Sequence, residues 1–150
     1  MNELQETIIK PAIPPSIIRN NAAYVSFVID RNDLPGSPYL EFIGVVGATD
    51  IAMAVLKVVE SDTKQSTTVL GGTPTDVLDV VNKPGAGDTD LSFVVDVDLR
   101  KQRKRYLQLQ ATAGSGTAGT YLAAVAIAYR PQNASSGAVD RGGLVTAEYV

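Results

Sequence analysis

Hydrophobic and polar positions alternate along most of this chain with a period of two, the signature of strands with one face buried. The pattern is cleanest at Leu91–Leu99. Leu91, Phe93, Val95, Val97 and Leu99 fall on one face, and Ser92, Val94, Asp96 and Asp98 on the other. Arg105–Thr112 repeats it, with Leu107, Leu109 and Ala111 against Tyr106, Gln108, Gln110 and Thr112. Further strands are predicted at Ala23–Asp30, Tyr39–Val46, Ile51–Glu60 and Thr120–Arg130, with one or two short ones inside Thr67–Val81. Gly47–Asp50 reads as a turn, Arg31–Pro38 and Asn82–Asp90 as loops, and the Gly-rich Ala113–Gly119 as a hairpin loop. No proline lies between Pro38 and Pro74 or between Pro84 and Pro131, as expected if paired strands fill those intervals. About eight strands spaced by turns predict an all-β fold, a jelly roll or another Greek-key sandwich.

Two segments break the one-sided rule. In Ile51–Glu60, Ile51, Met53, Val55 and Val59 share one face, yet Ala52, Ala54, Leu56 and Val58 share the other. Tyr121–Tyr129 is likewise apolar on both sides. Helix is the rival reading for both, because Ala and Leu favour it, but the larger side chains of the second segment alternate. A small sandwich has one core, so a second apolar face calls for another partner. Either a neighbouring molecule covers it, or both strands sit mid-sheet under long loops.

The ends divide the chain into residues 1–20, 21–131 and 132–150. Residues 1–20 form an extended N-terminal arm in which Pro11, Pro14 and Pro15 alternate with Ile8, Ile9, Ile13, Ile17 and Ile18. The arm either ties onto the sheet as a strand or lies along a neighbouring subunit. Residues 132–150 read as a small, polar tail.

Composition narrows the chemistry. The 150 residues contain neither cysteine nor histidine, which removes disulfides, thiolate metal sites and the commonest general base. No catalytic residues, cofactor site or metal site are assigned. The net charge of −3 argues against general nucleic-acid binding, and no apolar stretch is long enough to span a membrane. The N-terminal residues lack the pattern of a signal peptide, so a cytoplasmic origin is expected.

Three motifs remain. Gly114-Ser-Gly-Thr-Ala-Gly119 matches G-x-G-x-x-G, and Asp140 follows about twenty residues on, but a dinucleotide site needs a helix after the glycines, and here a strand follows. Arg100-Lys-Gln-Arg-Lys-Arg105 holds five of thirteen basic residues, leaving eight basic against sixteen acidic elsewhere. That patch reads as a solvated turn, a contact for an acidic protein, or a nucleic-acid site. Asp96 and Asp98, with Arg100 beyond them, and the loop pair Asp88 and Asp90 read as surface carboxylates, because the other ligands of a calcium loop are missing.

The stretch Tyr39-Leu-Glu-Phe-Ile-Gly-Val-Val-Gly-Ala-Thr-Asp-Ile-Ala-Met-Ala-Val-Leu-Lys-Val-Val-Glu-Ser-Asp62, with Asp98-Leu-Arg, Arg103-Lys-Arg-Tyr-Leu107, Ala111-Thr-Ala-Gly and Gly119-Thr-Tyr-Leu-Ala-Ala-Val-Ala-Ile-Ala128, resembles capsid decoration, or cement, proteins of tailed bacteriophages. The resemblance runs from about Pro38 to Arg130. It implies a jelly roll that sits as a homotrimer on the outer capsid surface, assembled in the host cytoplasm, and locks neighbouring capsomers through the major capsid protein. It implies no active site, membrane or nucleic-acid partner. On that reading Ile8, Ile9 and Ile13 of the arm, with Arg103, Lys104 and Arg105, are expected to contact the capsid or a neighbour. Ala52, Ala54, Leu56, Val58, Ala124, Ala126 and Ala128 are expected to form the subunit interface. The alternative is a carbohydrate- or receptor-binding sandwich of a phage head fibre, although the absence of Trp leaves few aromatics for sugar stacking.

Overall fold

A computed structural model describes residues 7–129 and the backbone of 144–149. Nine strands lie among the described residues: β1 (Ile8–Ile13), β2 (Ile29–Asp30), β3 (Tyr39–Thr49), β4 (Val55–Ser61), β5 (Thr75–Asp79), β6 (Ser92–Asp98), β7 (Tyr106–Thr112), β8 (Thr120–Tyr129) and β9 (Leu144–Tyr149). They form two sheets, ordered β1-β8-β3-β6-β9 and β2-β7-β4-β5. The pairing of β1 with β8, β8 with β3 and β3 with β6, opposite β2-β7-β4-β5, is antiparallel throughout. Successive strands from β1 to β4 and from β5 to β8 change sheet at every step or pair across it in the order of a jelly roll. β9 adds to the free edge of β6 in parallel.

The alternation places the core between the sheets. Leu40, Phe42 and Val46 of β3, Phe93, Val95 and Val97 of β6, and Leu122, Ala124, Ala126 and Ala128 of β8 point inward from the larger sheet. Leu56 and Val58 of β4, with Leu107, Leu109 and Ala111 of β7, meet them from the other. Burying each of these larger side chains contributes about 1.5–3 kcal/mol. Gly44 stands opposite Phe93 in register, where a Cβ would overlap the Phe93 ring. The glycine therefore makes room for one of the two largest fully buried side chains.

Three expectations are corrected, and one left open is decided: residues 8–13 of the arm tie onto the sheet as β1, an edge strand in which Ile13 is 1% exposed and Ile8 packs on the core. Pro11 is tolerated there beside a bulge between Pro11 and Ile13. The strand at Ala23–Asp30 shrinks to Ile29–Asp30: Ala23 keeps an isolated bridge to Thr112 of β7, but in between Phe27 N donates to Ala12 O (2.7 Å) and Val28 N to Thr67 O (2.8 Å). The turn expected at Gly47–Asp50 moves on because β3 runs to Thr49, whose hydroxyl meets that of Thr120 at 2.8 Å. β4 thus starts at Val55, and Met53 plugs the end of the core, its N–H on Pro84 O at 3.0 Å. Lastly, Ala113–Gly119 is not a hairpin loop: it joins β7 of one sheet to β8 of the other.

Candidate interaction surfaces

The loops gather at two poles. At one, Asp50 follows β3 and the Gly114–Gly119 loop precedes β8. The Asp50 carboxylate accepts from Thr117 N and Ala118 N (both 2.6 Å) and from Gly119 N (3.1 Å). Asn20 clamps Gly116 through both its N–H (3.0 Å) and its carbonyl (2.9 Å). Gly119 has φ +99°, and a Cβ there would run into the Arg19 carbonyl. The amides that a nucleotide motif would offer to phosphate are thus filled by the chain's own carboxylate. Those bonds, led by the one from Ala118, hold the Asp50 carboxyl below its usual range. Asp140 lies outside the described residues.

At the opposite pole the turn after β2 faces the Leu99–Arg105 loop. Here the basic patch divides. Arg100 donates twice to Asp98, Nε to Oδ1 and Nη2 to Oδ2 at 3.0 Å each, and lies over the Tyr39 ring at 4.6 Å. That hydrogen bonding carries the Asp98 carboxyl down to about 2. Arg105 pairs with Asp30 (2.9 and 3.1 Å) and stacks on Tyr106 at 4.9 Å, lowering the Asp30 carboxyl in the same way. The Lys104 amide donates to Glu60 Oε2 at 3.1 Å. Among the described residues, the two other guanidinium groups of this pole meet no carboxylate. Arg31 Nη1 and Nη2 donate to the carbonyls of Arg103 (2.7 Å) and Leu99 (3.1 Å), stitching the loop to the turn. Arg103 buries Nε and Nη2 with no hydrogen-bond partner. Both residues line a cleft of about 760 Å³ with Leu34, Pro35, Leu99 and Arg105.

The third surface is the outer face of the five-stranded sheet. Register places Ile9 beside Ile127, Pro11 beside Val125, Val125 beside Ile43, and Val45 beside Ala123. Ile9 (58%), Val45 (52%), Tyr121 (44%) and Val125 (40%) are exposed there despite their size. On the same face Glu41 and Asp96 are buried register partners. The outer face of the smaller sheet differs. Val59 packs with Leu70, Tyr106 and Val28, and Gln108 Nε2 bonds the carbonyls of Ser26 and Thr68 (2.9 Å each), pinning two loops over it.

The sequence-based site residues scatter. Ile13 is core, Ile8 is largely inward and Ile9 is exposed. Arg103, Lys104 and Arg105 share the basic pole, with Arg105 already paired. The expected subunit interface is corrected for five residues: Leu56, Val58, Ala124, Ala126 and Ala128 lie in the core, because the Ala-rich side of β8 is the side that meets the opposite sheet. Ala52 and Ala54 are exposed in the loop before β4. Asp88 caps its own turn, accepting from Gly85 N at 2.8 Å. Sequence reasoning missed Arg31 and Val45. The signal for Arg31 lay in the topology: once the strands follow jelly-roll order, the β2–β3 and β6–β7 connections share a pole. No family model and no curated protein matches the chain.

Proposed function

We propose that this chain is a non-enzymatic structural protein of a phage virion, a homotrimer that decorates the outer capsid and bridges neighbouring capsomers through the major capsid protein. The observation that carries the reading is the exposed apolar face formed by Ile9, Val45, Tyr121 and Val125. A chain whose core is already closed between two sheets gains nothing from leaving these side chains in water, and such patches on small domains mark interaction surfaces. Permanent subunit contacts are the more apolar kind, so this face is assigned to the neighbouring subunit. The loop poles are left for the capsid. The resemblance across Pro38–Arg130 supplies the capsid partner. Repetition around a symmetric shell multiplies a modest contact through multivalency.

The test is to mix the purified chain with expanded capsids of a tailed phage that lack their decoration protein and to image them by electron cryomicroscopy. Threefold density on the outer shell is the expected result. Bare capsids at saturating protein would overturn the capsid assignment.

A further inference from the structure

We propose that the cleft between the Arg31–Ser37 turn and the Leu99–Arg105 loop is a carboxylate-binding site that receives an Asp or Glu side chain from an acidic segment of another protein. The inference stands on the geometry of the cleft and needs no particular partner.

A guanidinium is costly to bury unless its N–H groups meet acceptors and its charge meets a counter-charge. Arg103 violates both conditions. Its Nε and Nη2 are shielded from solvent and bond nothing, and among the described residues it forms no ion pair. Nε and one Nη are the two donors that grip a carboxylate bidentately once the side chain turns to present them to the cleft. Arg31 adds a second uncompensated charge, because both of its described bonds go to neutral carbonyls, Leu99 O and Arg103 O. Those bonds also fix the backbone of the loop that carries Arg103. Of the other arginines nearby, Arg105 is spent on Asp30 and Arg100 on Asp98. Arg31 and Arg103 thus bring two positive charges without a described carboxylate to the lining of a cleft of about 760 Å³.

The acceptor is a protein carboxylate rather than a nucleic-acid backbone. A phosphate backbone is held by a run of cations with aromatic platforms between them. The residues lining this cleft include no aromatic ring. The planar fork of Arg103 instead suits one planar carboxylate, with Leu34, Pro35 and Leu99 able to pack the aliphatic part of an acidic side chain.

The experiment uses the full ¹⁵N-labelled chain and follows the arginine Nε–H resonances while a hexaglutamate peptide is added. Saturable shifts of Arg103 and Arg31, with Arg100 unmoved, are expected. R103K, which retains the charge but loses the fork, should weaken binding by roughly tenfold or more, the worth of one charge-assisted hydrogen bond. R103Q should abolish it, with both variants retaining the β-sheet circular dichroism. If R103Q does not fold, R103K alone decides. Absence of a saturable shift at millimolar peptide overturns the site. So does an R103K that binds as well as the parent, or an oligonucleotide that displaces the peptide at equal charge.

Discussion

The segments Ile51–Val59 and Tyr121–Tyr129 look alike in sequence, each apolar on both faces, and the fold treats β4 and β8, to which they contribute, in opposite ways. Inward, both serve the core: Leu56 and Val58 from β4, and Leu122, Ala124, Ala126 and Ala128 from β8. Outward, Val59 of β4 is buried under the chain's own loops, against Leu70, Tyr106 and Val28. Val125 and Tyr121 of β8 lie open beside Ile9 and Val45. A doubly apolar strand is therefore not by itself a sign of assembly. What decides is whether a loop of the same chain has the length and the polar clamps to cover the second face. The segment at residues 23–28 and the loop around Thr68, held by Gln108, do this at Val59.

The largest consequence concerns charge on these two outer faces. Val59→Asp places an unpaired carboxylate under the loops and should cost about 3–5 kcal/mol, a large part of the stability of a small domain. Val125→Asp should leave the monomer's stability within about 0.5 kcal/mol, measured by urea unfolding at low protein concentration. Equal losses at the two sites would mean that the β8 face is also covered within the chain. Next comes Gly44→Val, on the inner side of β3. It drives a side chain into the Phe93 ring, and overpacking of this kind costs about 1–3 kcal/mol; an unchanged melting temperature would show that the ring moves aside freely. Leu56→Ala should lower stability by about 2–5 kcal/mol without changing association, whereas Val45→Ala should do the reverse. The smallest effect lies at the basic pole. Asp98 has its carboxyl held down to about 2 by Arg100, below the unfolded value of about 3.9. Its contribution is complete above pH ~4 and is lost as the pH falls toward 2. Asp98→Asn should flatten that acid limb of the stability curve and cost under about 1 kcal/mol at pH 7, as for an exposed ion pair.

Much of the architecture was legible because strand alternation reports the core face directly. Phe93, Val95 and Val97 could be assigned inward from their spacing alone. β8 defeated the same logic: with Ala on one side and Tyr121, Val125 and Ile127 on the other, neither face is polar. Size suggested the wrong answer, since the small side chains face the opposite sheet and the large ones face out. β1 was ambiguous because prolines mark both arms and edge strands. The basic patch was visible as a run of charges. Which charges were free was not, because Asp98 and Asp30 neutralise Arg100 and Arg105 through contacts that depend on the fold. Arg31 joins the cleft across a sequence gap that only the strand order closes.

The outer face of β8 and β3 is proposed above as a subunit contact. Sedimentation velocity on the intact chain and on a Val45→Asp/Val125→Asp double variant at micromolar concentration tests it most directly. The account predicts a trimer for the parent chain and a folded monomer, with unchanged β-sheet circular dichroism, for the variant. A parent chain that sediments as a monomer, or a variant that remains a trimer, would contradict it.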